Sequence, residues 1–356
     1  MSVPQISKRL LALDYLRGYF IVIIIIDHLS RWPSTFGALS GHALLWVTAA
    51  EGFVIISGLL VGYIRGYKNR HSTMQQIAGK LLRRAGLLYL WVIIGTIIYA
   101  AIVWNVHLRG GSPGLPFDHI NDWRELVIQT ITLKYAFVWV HFLKLYAIFL
   151  AASPVAVWLM RRDKSWLVAV LSLLVLVIGW QTHSEAMQWQ ALFFVPSAIG
   201  YYLEDIRAWW LGLSARRRQL LTGSTWTATI LTIWLSVVCT FYPEHIQSLA
   251  NSLNNLYAKD TISIYRMLTA FLWFTGFVLL FARFEAWIKR WLGWLLGVIG
   301  SHSLTAYILH GLVLCLVSYL TLSSDNLLIN SVLGALSVLL VWVLLKVPFV
   351  HKVIPS

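Results

Sequence analysis

Arg17 and His28 stand eleven residues apart in an otherwise aliphatic stretch, Arg9 to Pro33, RLLALDYLRGYFIVIIIIDHLSRWP. On an α-helix that spacing is about three turns, which brings both side chains to nearly one face. Asp14 precedes Arg17 by three residues and joins the same stripe. Asp27 is the immediate neighbour of His28. At about 20 mostly apolar residues the stretch can cross a bilayer. A charge inside a span costs about 2.5 to 3.5 kcal/mol on insertion scales, so it faces a protein interior or a wet cavity. An imidazole exchanges a proton near neutral pH, and a guanidinium holds oxyanions. The stripe therefore reads as the lining of a cavity, with Arg17 toward one mouth and His28 toward the other.

Three further groups belong with it. Glu51 lies in the apolar run TAAEGFVIISGLLVG with Ser57, Gly58 and Gly62. A carboxylate there needs a partner, and Arg17 or His28 is the expected one. The alternative role is helix packing, helped by the small residues. Lys80 and Arg83 are one turn apart near a helix start and suit phosphate, although ordinary loop charge explains them as well. Ser303, Tyr307 and His310 are three or four residues apart and share a helix face. Arg266 and Lys144, near span ends, read as snorkelling cations. Trp189 belongs to a set of outer aromatics, most of them interfacial, a few able to stack on sugar. Cys239 and Cys315 fall in apolar runs and read as core residues, and no His or Cys spacing suits zinc. No metal and no bound cofactor are expected.

The elements that must position these residues are helices. Of 356 residues, 59% are hydrophobic and 12% charged, which suits a polytopic membrane protein and not a soluble domain. The net charge of +14 sits in short clusters between apolar runs, which argues against a nucleic-acid surface. Apolar runs centred on 10–29, 43–64, 85–106, 139–160, 165–181, 186–203, 220–241, 262–282, 302–321 and 327–345 give about ten transmembrane helices. Basic connectors alternate with poorly charged ones, which puts both termini in the cytoplasm. The first run reads as a signal-anchor. Residues 123–137 are expected as an amphipathic surface helix, and 292–300 as a bent approach to the ninth span. The expectation is all-α, a single domain over 1–356 around a central polar cavity.

With those residues in place, a likeness emerges. Arg17-x10-His28 resembles the signature of the membrane acyltransferase-3 superfamily. The string LDYLRG…DH, the AEGFV…SG block at Glu51 and GSHSL…Y…His310 look like its OpgC-type branch, which succinylates periplasmic glucans. The resemblance implies an O-acyltransferase moving an acyl group, succinyl first among the candidates, from cytoplasmic acyl-CoA to a hydroxyl of an extracytoplasmic glycan. On that reading His28 is the general base, oriented by Asp27 or Glu51. Arg17 holds donor oxygens or the oxyanion, with Lys80 and Arg83 at the entrance. Asp14, Ser57, Lys144, Trp189, Ser303, Tyr307 and His310 complete the substrate-binding set. The chain departs from the pattern at His141 and Lys144, where an Asp and a Pro are expected, and Lys144 could meet a substrate carboxylate. The implied setting is the inner membrane of a bacterium, with the lipid bilayer as surroundings and a homo-oligomer possible. A transporter or flippase for a glycan or glycolipid is the rival class, since intramembrane charges also mark transport paths.

Overall fold

In a computed structural model, which describes residues 11–108, 122–321 and 324–354, the chain is all-helical, with no strand among the described residues. Lys8 and Arg9, most of the connector before 122 and the extreme C-terminus lie outside them. The helices are α1 Leu11–Leu29, α2 Ala49–Leu60, α3 Met74–Leu108, α4 Trp123–Ile131, α5 Val138–Met160, α6 Ser165–Gln181, α7 Glu185–Trp189 and α8 Ala191–Tyr201. They continue with α9 Leu203–Gly212, α10 Ala215–Phe241, α11 Gln247–Leu256, α12 Ile264–Arg283, α13 Glu285–Trp291, α14 Gly293–Ser301, α15 Ser303–Leu320 and α16 Leu327–Leu344.

Among the described residues six helices are long and apolar enough to cross a membrane, or seven if α14 and α15 count as one span bent by 100°. Ten apolar runs were expected, and three of them account for the difference. The first run forms α1, which has the length but carries Asp14, Arg17 and Asp27. The fifth forms α6, of only 17 residues. The sixth is divided between α7, with 5 residues, and α8, with 11. The expected surface helix is shorter than 123–137, since it ends at Ile131, and it buries only Leu126 and Thr130. The bend expected at 292–300 is present, between Ser301 and Ser303.

Two close crossings set the centre of the bundle. A side chain at Gly18 would collide with the Leu296 carbonyl, and one at Gly300 with that of Asp14, so α1 and α14 lie backbone to backbone. Gly58 and Gly62 meet the Phe193 and Ser197 carbonyls of α8 in the same way. Small residues allow this approach, and the dispersion gained along it holds helices together where lipid is as apolar as they are. The packing role considered for the Glu51 run is therefore present at its glycines. Beyond Leu60 the helix continues as a π-helix over Val61–Lys68. Such segments re-aim side chains and recur at functional sites.

Candidate active site

Arg17 opens on a cavity of about 380 Å³ at the end of the bundle where the basic connectors gather. Its polar lining is Arg17, Arg65, Arg84, Ser57, Tyr146, Ser301 and Ser303, with His302 beside them and no carboxylate among the lining residues. Arg17 donates to Ser303 Oγ at 2.5 Å. The Nε of Arg17, the Nε of Arg84 and the hydroxyl of Ser57 are buried with no hydrogen-bond partner among the described residues. Asp14 acts on Arg17 electrostatically from the neighbouring turn. Three guanidiniums around one cavity repel one another, and such a lining suits an anion.

The cations differ from those expected. Lys80 and Arg83 are exposed, whereas Arg84 turns inward. The reason is periodicity: Ile77, Leu81 and Leu88 form the buried stripe of α3, and Arg84 stands on it. That interruption of an apolar stripe was the available signal. Arg65 reaches the cavity from the π-helical turn, which no sequence period announces.

At the other end of α1, His28 Nδ1 lies 2.9 Å from His310 Nε2. His310 Nδ1 meets the carbonyl of Tyr307, so that nitrogen carries the hydrogen and donates it. A neutral His310 then has a lone pair on Nε2, and His28 donates to it from Nδ1. The lone pair left on His28 Nε2 is a free proton acceptor. His28 itself is partly buried.

Neither carboxylate expected to orient His28 does so. Asp27 lies about 100° around the helix, on the side of Ser40 and Lys259, with one buried carboxylate oxygen lacking a hydrogen-bond partner among the described residues. Glu51 is wholly committed elsewhere. One oxygen accepts from Arg266 Nε at 2.7 Å and from the same guanidinium's Nη2. The other accepts from the Thr48 amide at 2.9 Å and the Thr48 hydroxyl at 2.6 Å, closing a capping box at the start of α2. Arg266 does not snorkel: it is 3% exposed and also donates to the carbonyls of Ala258, Lys259 and Thr261. The pair is a structural pin.

Between the two ends the chamber stops short of the imidazoles, since neither His28 nor His310 lines it. Ile21, Ile24 and Ile25, on the α1 face that carries Arg17 and His28, are all buried. Three rings meet beside them, each one turn beyond a residue of the Arg17 cavity: Phe53 after Ser57, Phe142 after Tyr146, Tyr307 after Ser303. Phe53 and Phe142 are 5.7 Å apart, Phe142 and Tyr307 5.7 Å, and Phe53 and Tyr307 6.5 Å. Tyr307 is also 4.6 Å from His310 and 6.4 Å from His28. The expected single cavity from guanidinium to imidazole is therefore a chamber, a collar of rings and an imidazole pair.

Trp189 packs on Phe142 at 6.4 Å, with the Arg266 guanidinium 5.7 Å from its ring. Near the same end His141 Nε2 is 2.8 and 2.7 Å from the two carboxylate oxygens of Glu185, and Lys144 is half-buried close to that carboxylate. Burial alone would raise the Glu185 carboxyl, but the hydrogen bond and charge of His141, with Lys144, outweigh it and hold it below the ordinary value.

These features define an all-helical membrane protein with an arginine-lined chamber on one side and a hydrogen-bonded imidazole pair on the other. A family model described as OpgC protein matches residues 9–350, and the chain belongs to that family. Membership supports an O-acyltransferase-like function in glycan modification. Comparison with curated proteins and with solved structures returned no match.

Proposed function

We propose that the chain transfers an acyl group, succinyl first among the candidates, from acyl-CoA at the basic, cytoplasmic side to a glycan hydroxyl on the far side of a bacterial inner membrane. The observation that carries this reading is the division of labour along α1: a chamber of three arginines with no carboxylate in its lining at Arg17, and an imidazole pair at His28. Arg17, Arg65 and Arg84 hold the oxygens of the CoA phosphates or pantetheine, while exposed Lys80 and Arg83 draw the donor toward the entrance. Asp14, one turn before Arg17 on α1, attracts its guanidinium. Ser57 and Ser303 line the donor's route.

The acceptor comes from the other end, where Trp189 offers a sugar-stacking face and Lys144 a cation for a carboxylate. His28 Nε2 takes the hydroxyl proton as the alcohol oxygen attacks the thioester carbonyl. The tetrahedral intermediate collapses with cleavage of the C–S bond, and the imidazolium returns the proton to the departing thiolate. A cation near the reaction centre steadies the oxyanion. No covalent acyl-enzyme is required, and neither Asp27 nor Glu51 takes part. The topology that goes with this reading is ten crossings, α1, α6 and the α7–α8 pair included, with both termini in the cytoplasm.

The test is purified protein in lipid nanodiscs with labelled acyl-CoA and glucan, read by mass spectrometry. An ester on the glucan and stoichiometric free CoA support the reading. Glucan or lipid-linked glycan moving across a vesicle membrane without donor consumption contradicts it and favours a transporter.

A further inference from the structure

The chamber at Arg17 and the imidazole pair at His28 belong to one reaction in the reading above, yet neither imidazole lines the chamber. Between them α1 carries the buried Ile21, Ile24 and Ile25 on the face it shares with Arg17 and His28. Beside them stand Phe53, Phe142 and Tyr307, from α2, α5 and α15, in mutual ring contact. Along α15, Ser303 in the chamber and His310 in the pair are seven residues apart, about 10 Å of helix, and Tyr307 lies between them. A thioester held by its phosphates in the chamber must pass this collar to reach His28.

The three rings are not equally fixed. Phe53 is 1% and Tyr307 2% exposed, and Tyr307 is further packed against His310 and His28. Phe142 is only half-buried, and beyond it lies Trp189, itself half-buried. A ring with free space on one side changes rotamer at less cost than one packed on all sides. The geometry points to Phe142 as the specificity-determining leaf of this collar: its ring sets how bulky an acyl group passes from the donor chamber to His28, and in its resting position it keeps water on the imidazole side from the thioester.

The proposal rests on the acyl-transfer reading and makes a separable demand. When the leaf is removed, water gains access alongside the acceptor. Its oxygen bonds to the acyl carbon, the C–S bond breaks, and CoA leaves as the thiol with the proton that water loses, giving the free acid. Phe142→Ala should therefore raise acceptor-independent hydrolysis relative to transfer by about tenfold or more, a change of about 1.4 kcal/mol between the two barriers. It should also widen the range of acyl groups accepted.

The experiment compares the full chain and Phe142→Ala in nanodiscs with acetyl-, succinyl- and hexanoyl-CoA, following thiol release with and without glucan. The expected result is a rise of at least tenfold in both the hydrolysis-to-transfer ratio and the hexanoyl-to-acetyl ratio of kcat/KM. Phe142→Trp should lower transfer of the bulkier groups first. If Phe142→Ala does not accumulate as folded protein, Phe142→Leu, which keeps apolar bulk without the ring, serves for the same comparison. Ratios equal to the parent's, with transfer intact, overturn the collar and leave acyl transfer standing. A parent with no acyl-CoA turnover overturns both.

Discussion

His28 hands its Nδ1 hydrogen to His310 Nε2 across 2.9 Å, and His310 is itself fixed by donating from Nδ1 to the Tyr307 carbonyl. One backbone oxygen thus chooses the tautomer of two imidazoles in sequence and leaves His28 Nε2 as the acceptor. In other sites a carboxylate does this work. Here the partner is neutral, so no fixed negative charge raises the basicity of His28, and the pair avoids burying an ion in the bilayer.

His310→Ala should leave the KM for acyl-CoA within about twofold and lower kcat of the order of 10²-fold, the scale of a mispositioned acid–base group. His310→Gln offers an amide oxygen to the same Nδ1 hydrogen and should recover a substantial part of the rate. Steady-state kinetics of the three proteins decide this. Equal loss in Ala and Gln variants would show that volume at 310, not acceptance of a hydrogen bond, is what matters.

Glu51 should reveal itself through stability. Glu51→Ala strands the Arg266 guanidinium, which is 3% exposed, and breaking a buried pair from one side costs about 3 to 5 kcal/mol. Thermal unfolding in detergent should show a large fall, eased when Arg266→Met is added, because two well-packed apolar groups restore what one orphaned charge removes. A stable Glu51→Ala protein lacking only turnover would return Glu51 to the catalytic set.

Arg84 and the pair Lys80 and Arg83 should separate by salt. Arg84→Ala removes a group that lines the chamber and should raise the KM for acyl-CoA about tenfold at any ionic strength. Reversing the exposed Lys80 and Arg83 should raise it at low salt only, since solvent charges beyond about 10 Å are screened at 0.1 M. Kinetics at two salt concentrations distinguish the cases.

Much of this site could be read from spacing alone. The face shared by Arg17 and His28 and the face shared by Ser303, Tyr307 and His310 follow from one helix's own period, while the bend before Ser303 and the close packing at Gly58 and Gly62 follow from where the glycines stand. What spacing does not carry is which face meets which. Arg266 finds Glu51 across 215 residues, and no local pattern joins them. The same holds for His310, which the sequence places on a helix face without saying that His28 lies opposite. Arg65 depends on a π-helical turn and Phe142 on the angle between α2 and α5, both set by tertiary packing.

The pair at the acceptor end makes a pH prediction. Glu185 is held below its ordinary value, so its contribution to stability is present above the unfolded value of about 4.3 and is lost as pH falls through the lowered folded value. Wild type should therefore unfold at a higher temperature than Glu185→Gln at pH 6, and the two should converge as pH drops below about 4. A gap that stays constant over that range would deny the carboxylate any part in it.

The central claim is met most directly by His28→Ala, assayed for acyl transfer and, separately, for acyl-CoA binding. The account predicts loss of transfer by at least about 10³-fold with acyl-CoA affinity within about twofold of the parent, in a protein that elutes and melts normally. Transfer at the parent rate in that variant would contradict it.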